Sequence, residues 1–164
     1  MNNNIFDIGR LPKRAGERPT TGDALPHLQL TDNSSQQLFD ELANWLFSLE
    51  YIEERPSRIS VKGARAAWIK DDYSNINPDL GREFTHIHPM EIYGGGSQHL
   101  ALKRQDAESV IENGWGEYHP MNERAFPDKK YGLILLYAPR NKEELDVIKT
   151  ITETSYLLAT NQNE

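Results

Sequence analysis

The sequence predicts a single α+β domain, a mainly antiparallel sheet packed against about three helices, and three observations lead there. The chain has 164 residues, enough for one ordinary domain with its own buried core. One long segment after residue 34 and another at the end repeat apolar residues at helical spacing. Between them lie short apolar or alternating runs, most of them joined by links of hairpin length, which favours antiparallel pairing.

Residues 1–34 are rich in Asn, Pro, Gly, Thr and Asp without a sustained period. They read as an extended or partly disordered N-terminal arm, and residues 35–160 as the domain. In "SSQQLFDELANWLFSLE", Leu38, Leu42, Trp45, Leu46 and Leu49 share a helical face, with Ser34 or Ser35 as the cap. "SRISV" and "ARAAWIK" read as two strands paired across Lys62-Gly63, followed by a loop, "DDYSNINPDLGR". "EFTHIH" is a third strand ended by Pro89, and "SQHLALK" a fourth after the "YGGG" turn. Alternation puts Phe84, His86 and His88 on one face of the third strand, and Glu83, Thr85 and Ile87 on the other. A short helix over residues 106–113 stops at Gly114, and "YGLILLY" has the near-continuous apolarity of a central strand. In "NKEELDVIKTITETSYLL", Asn141 and Glu144 stand in capping-box relation ahead of Leu145, Ile148, Ile151 and Leu158 on one helical face.

Composition removes several function classes. There are 18 Lys and Arg against 25 Asp and Glu, a net charge of -7, which argues against nucleic-acid or membrane partners. The absence of cysteine excludes disulfides, thiolate metal sites and a cysteine nucleophile. With no signal-peptide pattern and no apolar run near the roughly 20 residues that span a bilayer, a soluble cytoplasmic protein is expected.

The chemistry concentrates in residues 83–102, which hold three of the five histidines, His86, His88 and His99. An HxH pair on one strand face is a two-point claw for a metal or an oxygen-rich substrate, because neutral imidazole is both a ready ligand and an acid/base group near pH 7. His119, in "NGWGEYHP", could face the same space with Glu117, while glycines on both sides of Trp115 leave its indole either aimed into a pocket or plugging the core. His27 has no chemical partner nearby in sequence and reads as a packing or surface residue. Arg140, at the exit of the apolar strand, could grip a substrate carboxylate or enolate, or pair with an acidic side chain. There is no GxSxG elbow, phosphate-cradling GxxxxGK[ST], strand-borne GxGxxG or HExxH.

Four blocks taken together, "GREFTHIHP", "SQHLALKRQDAESVIENGWGEYHP", "LLYAPRN" and "VIKTITETSYL", resemble the luciferase domain of bioluminescent fungi and its bacterial and fungal relatives. "ERPTTGDALPH" and "SVKGARAAWI" fit the same order more weakly. The resemblance implies an oxygenase that needs no cofactor and leaves room for a divalent metal. The fungal enzyme adds dioxygen to a hydroxylated styryl-pyrone through a peroxide that loses carbon dioxide. Carried to this chain, the resemblance implies catalytic roles for His86, His88, His99 and His119, the same four being the metal candidates. It implies substrate contacts from Glu83, Trp115, Tyr137 and Arg140. His86 or His88 would take a proton from an enolic or phenolic compound, a second histidine would hold the developing oxyanion, Trp115 would stack on a planar ring, and Arg140 would hold the ionised oxygen. The "PMEIYGGG" loop departs from the family, and a soluble protein without the membrane-anchoring segment of the fungal enzyme is expected. The alternative is a non-catalytic module that uses the same histidines to bind a small molecule or a metal.

Overall fold

The computed structural model describes residues 7–162. After a 3-10 turn at Ile8–Arg10 come α1 (Gln36–Phe47), β1 (Ile52–Pro56), β2 (Arg65–Ile69), β3 (Glu83–Ile87) and β4 (Gln98–Lys103). They are followed by α2 (Arg104–Glu112), β5 (Gly116–Tyr118), α3 (Asn122–Ala125), β6 (Tyr131–Leu136) and α4 (Lys142–Ala159). The six strands form one antiparallel sheet in the order β1-β2-β3-β4-β6-β5. The fold is α+β, as expected, with a fourth helix of a single turn.

The helices start where their caps allow. Ser35 accepts from the Leu38 amide at 3.2 Å, and Asn141 accepts from the Glu144 amide at 2.9 Å. The Glu144 carboxylate reaches back one residue beyond a standard capping box, to the Arg140 amide at 2.9 Å. Leu38, Leu42 and Leu46 of α1, Ala107 and Val110 of α2, and Leu145, Ile148 and Ile151 of α4 share one core with Leu100, Leu102, Ile134 and Leu136. All three long helices therefore cover the same face of the sheet.

Three local expectations need correction. The first strand is "IEERP" at Ile52–Pro56, upstream of "SRISV". Ser57 instead organises a turn, its hydroxyl oxygen accepting from the Ile59 and Ser60 amides, and Ile59 is left 77% exposed. "GEY" is a strand, at the sheet edge beside β6. In β3, Thr85 and Glu83 lie opposite the consecutive residues Ala67 and Trp68, so Phe84 is an extra residue that breaks the alternation. Phe84 turns into the core beside Tyr156, and Glu83 emerges on the same side as His86.

Residues 11–34 run along the domain and are tied to it by polar contacts. The Trp115 indole donates to the Pro12 carbonyl at 2.7 Å, the Arg14 amide to the Asn113 carbonyl at 2.9 Å, and the Ala138 amide to Gln29 Oε1 at 3.0 Å. The "GGG" turn accommodates this segment closely: a Cβ on Gly94, which has φ of +79°, would lie 2.5 Å from the Gln29 carbonyl oxygen. Among the described residues, no helix is long and apolar enough to cross a membrane.

Candidate active site

The face of the sheet away from the long helices carries the histidines. Cross-strand pairing places His86 opposite His99, His99 opposite Leu135, and Leu135 opposite Glu117, one row across four strands. His88 follows β3 directly and remains paired, its amide donating to the Ser97 carbonyl. His119 follows β5, and its amide donates to the Leu133 carbonyl. His27 comes from the N-terminal segment, held close by the Thr21–Gln29 bridge.

These five imidazoles form one cluster. Ring centroids are 5.1 Å apart for His86 and His99, 4.7 Å for His88 and His99, and 4.6 Å for His99 and His119. The His27 ring stacks on His99 at 5.6 Å and meets His119 edge-on at 5.2 Å. All five line a cavity of about 700 Å³ whose remaining walls are mostly apolar: Leu25, Pro26, Ile59, Val61, Met121 and Leu133. That size suits a small organic molecule.

Hydrogen-bond partners assign the tautomers. Ser97 gives its hydroxyl proton to the Gly94 carbonyl at 2.5 Å, so His88 Nδ1–H donates to Ser97 Oγ at 2.8 Å and the Nε2 lone pair is left open. His86 Nδ1 lies 3.4 Å from Glu83 Oε1, which fixes the proton there and directs the Nε2 lone pair toward His99 Nδ1 at 3.1 Å. His119 Nδ1 accepts from the Met121 amide at 3.0 Å, so its Nε2 carries the proton. His27 Nε2 lies 3.3 Å from Glu117 Oε2. His27 Nδ1 and His99 Nε2 are buried and, among the described residues, without partners.

Burial and neighbouring imidazoles push His88 down to about 3 and His119 to about 4, and His99 well below its ordinary value. All three are therefore neutral at pH 7. Burial alone would raise the Glu117 carboxyl, but hydrogen bonds from His27, Tyr137 and Thr21 hold it below its ordinary value. Burial likewise opposes ionisation of Glu83, and contacts from His86, Ser57 and the Arg58 amide overcome it.

The structure brings together His86, His88, His99 and His119, and puts Glu83 behind His86. Glu83 also accepts from Ser57 and the Arg58 amide, at 2.5 and 3.1 Å, and so joins His86 to the pocket loop. Tyr137 is one step removed: its hydroxyl donates to Glu117 Oε1 at 2.9 Å, and burial pushes its own pKa up to about 12. Trp115 and Arg140 do not line the pocket. The Trp115 indole is 3% exposed, in the hydrophobic core, with its N–H on Pro12. Arg140 donates through Nε to Glu144 at 3.0 Å, and through Nη2 to the Ala15 carbonyl at 2.6 Å. Local reading passed over His27, whose signal was its place at the end of the "ERPTTGDALPH" block.

The fold and site define an α+β domain with a histidine-lined, largely apolar pocket on its open sheet face. Residues 81–155 match the family model described as Luciferase domain. Luciferases of Armillaria mellea, Armillaria gallica and Neonothopanus nambi are each 40% identical to this chain over 80 residues. The match covers 49% of this chain and 29% of theirs, so it spans under a third of the length of those relatives. No solved structure gives a significant match. Residues 81–155 are thus similar to the luciferase domain of these fungal proteins. Four of the five pocket histidines fall in the matched segment, while His27 and the Ile59–Val61 wall precede it.

Proposed function

We propose that this protein is a luciferase-like oxygenase that binds a small enolic or phenolic compound, pyrone- or polyphenol-like, and reacts it with dioxygen. The observation that carries the reading is the placement of imidazoles of complementary tautomer on one mostly apolar cavity: His88 with an open Nε2 lone pair, His119 with an Nε2–H donor. A planar enol fits among the aliphatic walls. His88 Nε2 accepts the enol proton and His119 Nε2–H holds the oxyanion that forms, the new negative charge beside the imidazolium offsetting the low basicity that burial gives His88. The resulting electron-rich anion is the species that meets dioxygen, in a pocket whose apolar walls limit competing water. Glu83 and Ser97 act as positioning residues by fixing the rings of His86 and His88.

The test is oxygen uptake by the purified protein with a panel of hydroxypyrones and polyphenols, with carbon dioxide measured in parallel. Uptake that depends on protein and falls in His88→Ala is the expected result. Saturable binding of the same compounds without oxygen uptake would favour the non-catalytic binding module instead.

A further inference from the structure

Three of the five imidazoles have a geometry that a proton-transfer role does not require. His86 Nε2 and His99 Nδ1 face each other at 3.1 Å. Two nitrogens bound to one tetrahedral ion with bonds of about 2.0–2.1 Å stand about 3.3 Å apart. One ring nitrogen from each of His86, His88 and His99 lies within 4.8 Å of the others. His86 and His88 are 3% and 1% exposed, and each uses its Nδ1–H on a fixed acceptor, Glu83 or Ser97, so that Nε2 is the nitrogen left for a ligand bond. Histidines that bind metals show this pattern, in which an outer carboxylate or hydroxyl orients the ring and sets the tautomer. Ser97 is itself held by the Gly94 carbonyl, so the orienting shell extends into the glycine turn.

We propose that His86, His88 and His99 form a binding site for one divalent first-row transition-metal ion, with its remaining positions open to the pocket. Three neutral imidazoles suit ions such as Zn(II), Co(II) or Fe(II) rather than Mg(II) or Ca(II), which prefer oxygen ligands. A second triad, His27, His99 and His119, is close enough to bind an ion. It fits less well, because the Met121 amide locks the His119 proton on Nε2, whereas in His99 the proton can move from Nδ1 to the unpartnered Nε2 and leave Nδ1 free for the ion. This separates His119 from the ligand set on a specific hydrogen bond. With an ion bound, His88 Nε2 is a ligand and gives up the base role it has in the ion-free pocket, which passes to the unpartnered His27 Nδ1 in a ring held by Glu117. The site deepens the oxygenase reading of the pocket, but ion binding is measured without substrate, so the two can fail separately.

The full chain, made without a histidine tag and stripped with a chelator, is titrated with Co(II) and with Zn(II), following the visible Co(II) bands and competition with a chromophoric chelator. One ion per chain is expected, with nitrogen-dominated Co(II) bands. His88→Ala should weaken binding at least a hundredfold, and Glu83→Gln about 10–100-fold, as for other outer-shell partners. His119→Ala should leave the affinity within about threefold of the parent, the scatter expected of a group outside the ligand set. Circular dichroism and thermal melting identify folded variants. If His88→Ala does not fold, His88→Gln and the Glu83→Gln shift carry the test. No stoichiometric binding, binding unchanged in both His88→Gln and Glu83→Gln, or loss of binding in His119→Ala would each overturn the proposal.

Discussion

Strand β4 shows two kinds of construction on its two sides. Toward the helices, Leu100 and Leu102 enter a continuous apolar core, and the one polar side chain there, Gln98, is paired with Thr152 of α4 at 3.1 Å. Toward the open face, His99 sits among four other imidazoles with one ring nitrogen unpartnered. The first side follows the rule that buried polar groups find partners, and the second departs from it at the wall of a cavity. An orphaned polar atom is costly in a sealed core and useful where a ligand arrives. The helix face thus holds the apolar core of the fold, and the open face holds the histidine-lined cavity.

That division can be broken or sharpened experimentally, beginning with the largest effect. His88→Ala should lower kcat/KM for an identified substrate by about 10²–10⁴-fold, the usual contribution of a positioned acid/base group, with little change in melting temperature. Leu42→Ala, at a fully buried position of α1, should cost about 2–5 kcal/mol by chemical denaturation while the folded fraction keeps its ligand affinity. A large activity loss per folded molecule in Leu42→Ala would contradict the separation of the faces.

Acid pH offers a third test, on the helix face. Burial tends to raise the Glu144 carboxyl, but its bonds from the Arg140 side chain and amide hold it below its ordinary value. The folded protein therefore binds this proton less readily than the unfolded chain. The contribution is fully present above the ordinary carboxylate value of about 4.3 and is lost as pH falls through the lower folded value. Denaturation midpoints should fall more steeply below pH 4.3 in the parent than in Glu144→Gln. The smallest change is expected of Ser35→Ala, which removes the α1 cap and should cost about 1 kcal/mol in the same assay with no effect on the pocket.

Elements with a long period were legible in the sequence because their signals are local. The α1 and α4 boundaries follow from Ser35 and Asn141 at the caps and a leucine and isoleucine stripe behind them. β4 and β6 likewise follow from short apolar runs between turns. Where a side chain's partner is distant, the local signal misled. Ser57 looks like the start of a strand but closes a turn against Glu83, 26 residues on. The bulge at Phe84 moved Glu83 to the histidine side, which simple alternation assigned to the opposite face.

The sequence by itself determined the α+β class, the helix caps and the concentration of imidazoles around residues 83–102, because backbone periodicity, capping and composition are properties of neighbours. Tertiary structure decided which imidazoles meet, which nitrogen of each ring carries the proton, and that Trp115 and Arg140 serve packing and pairing away from the pocket. It also brought His27 across the sheet to Glu117, 90 positions away, through a cross-strand arrangement that no local pattern encodes. The physical reason is that a ring nitrogen's role depends on the atoms around it, and the chain supplies those atoms only once distant segments are folded together.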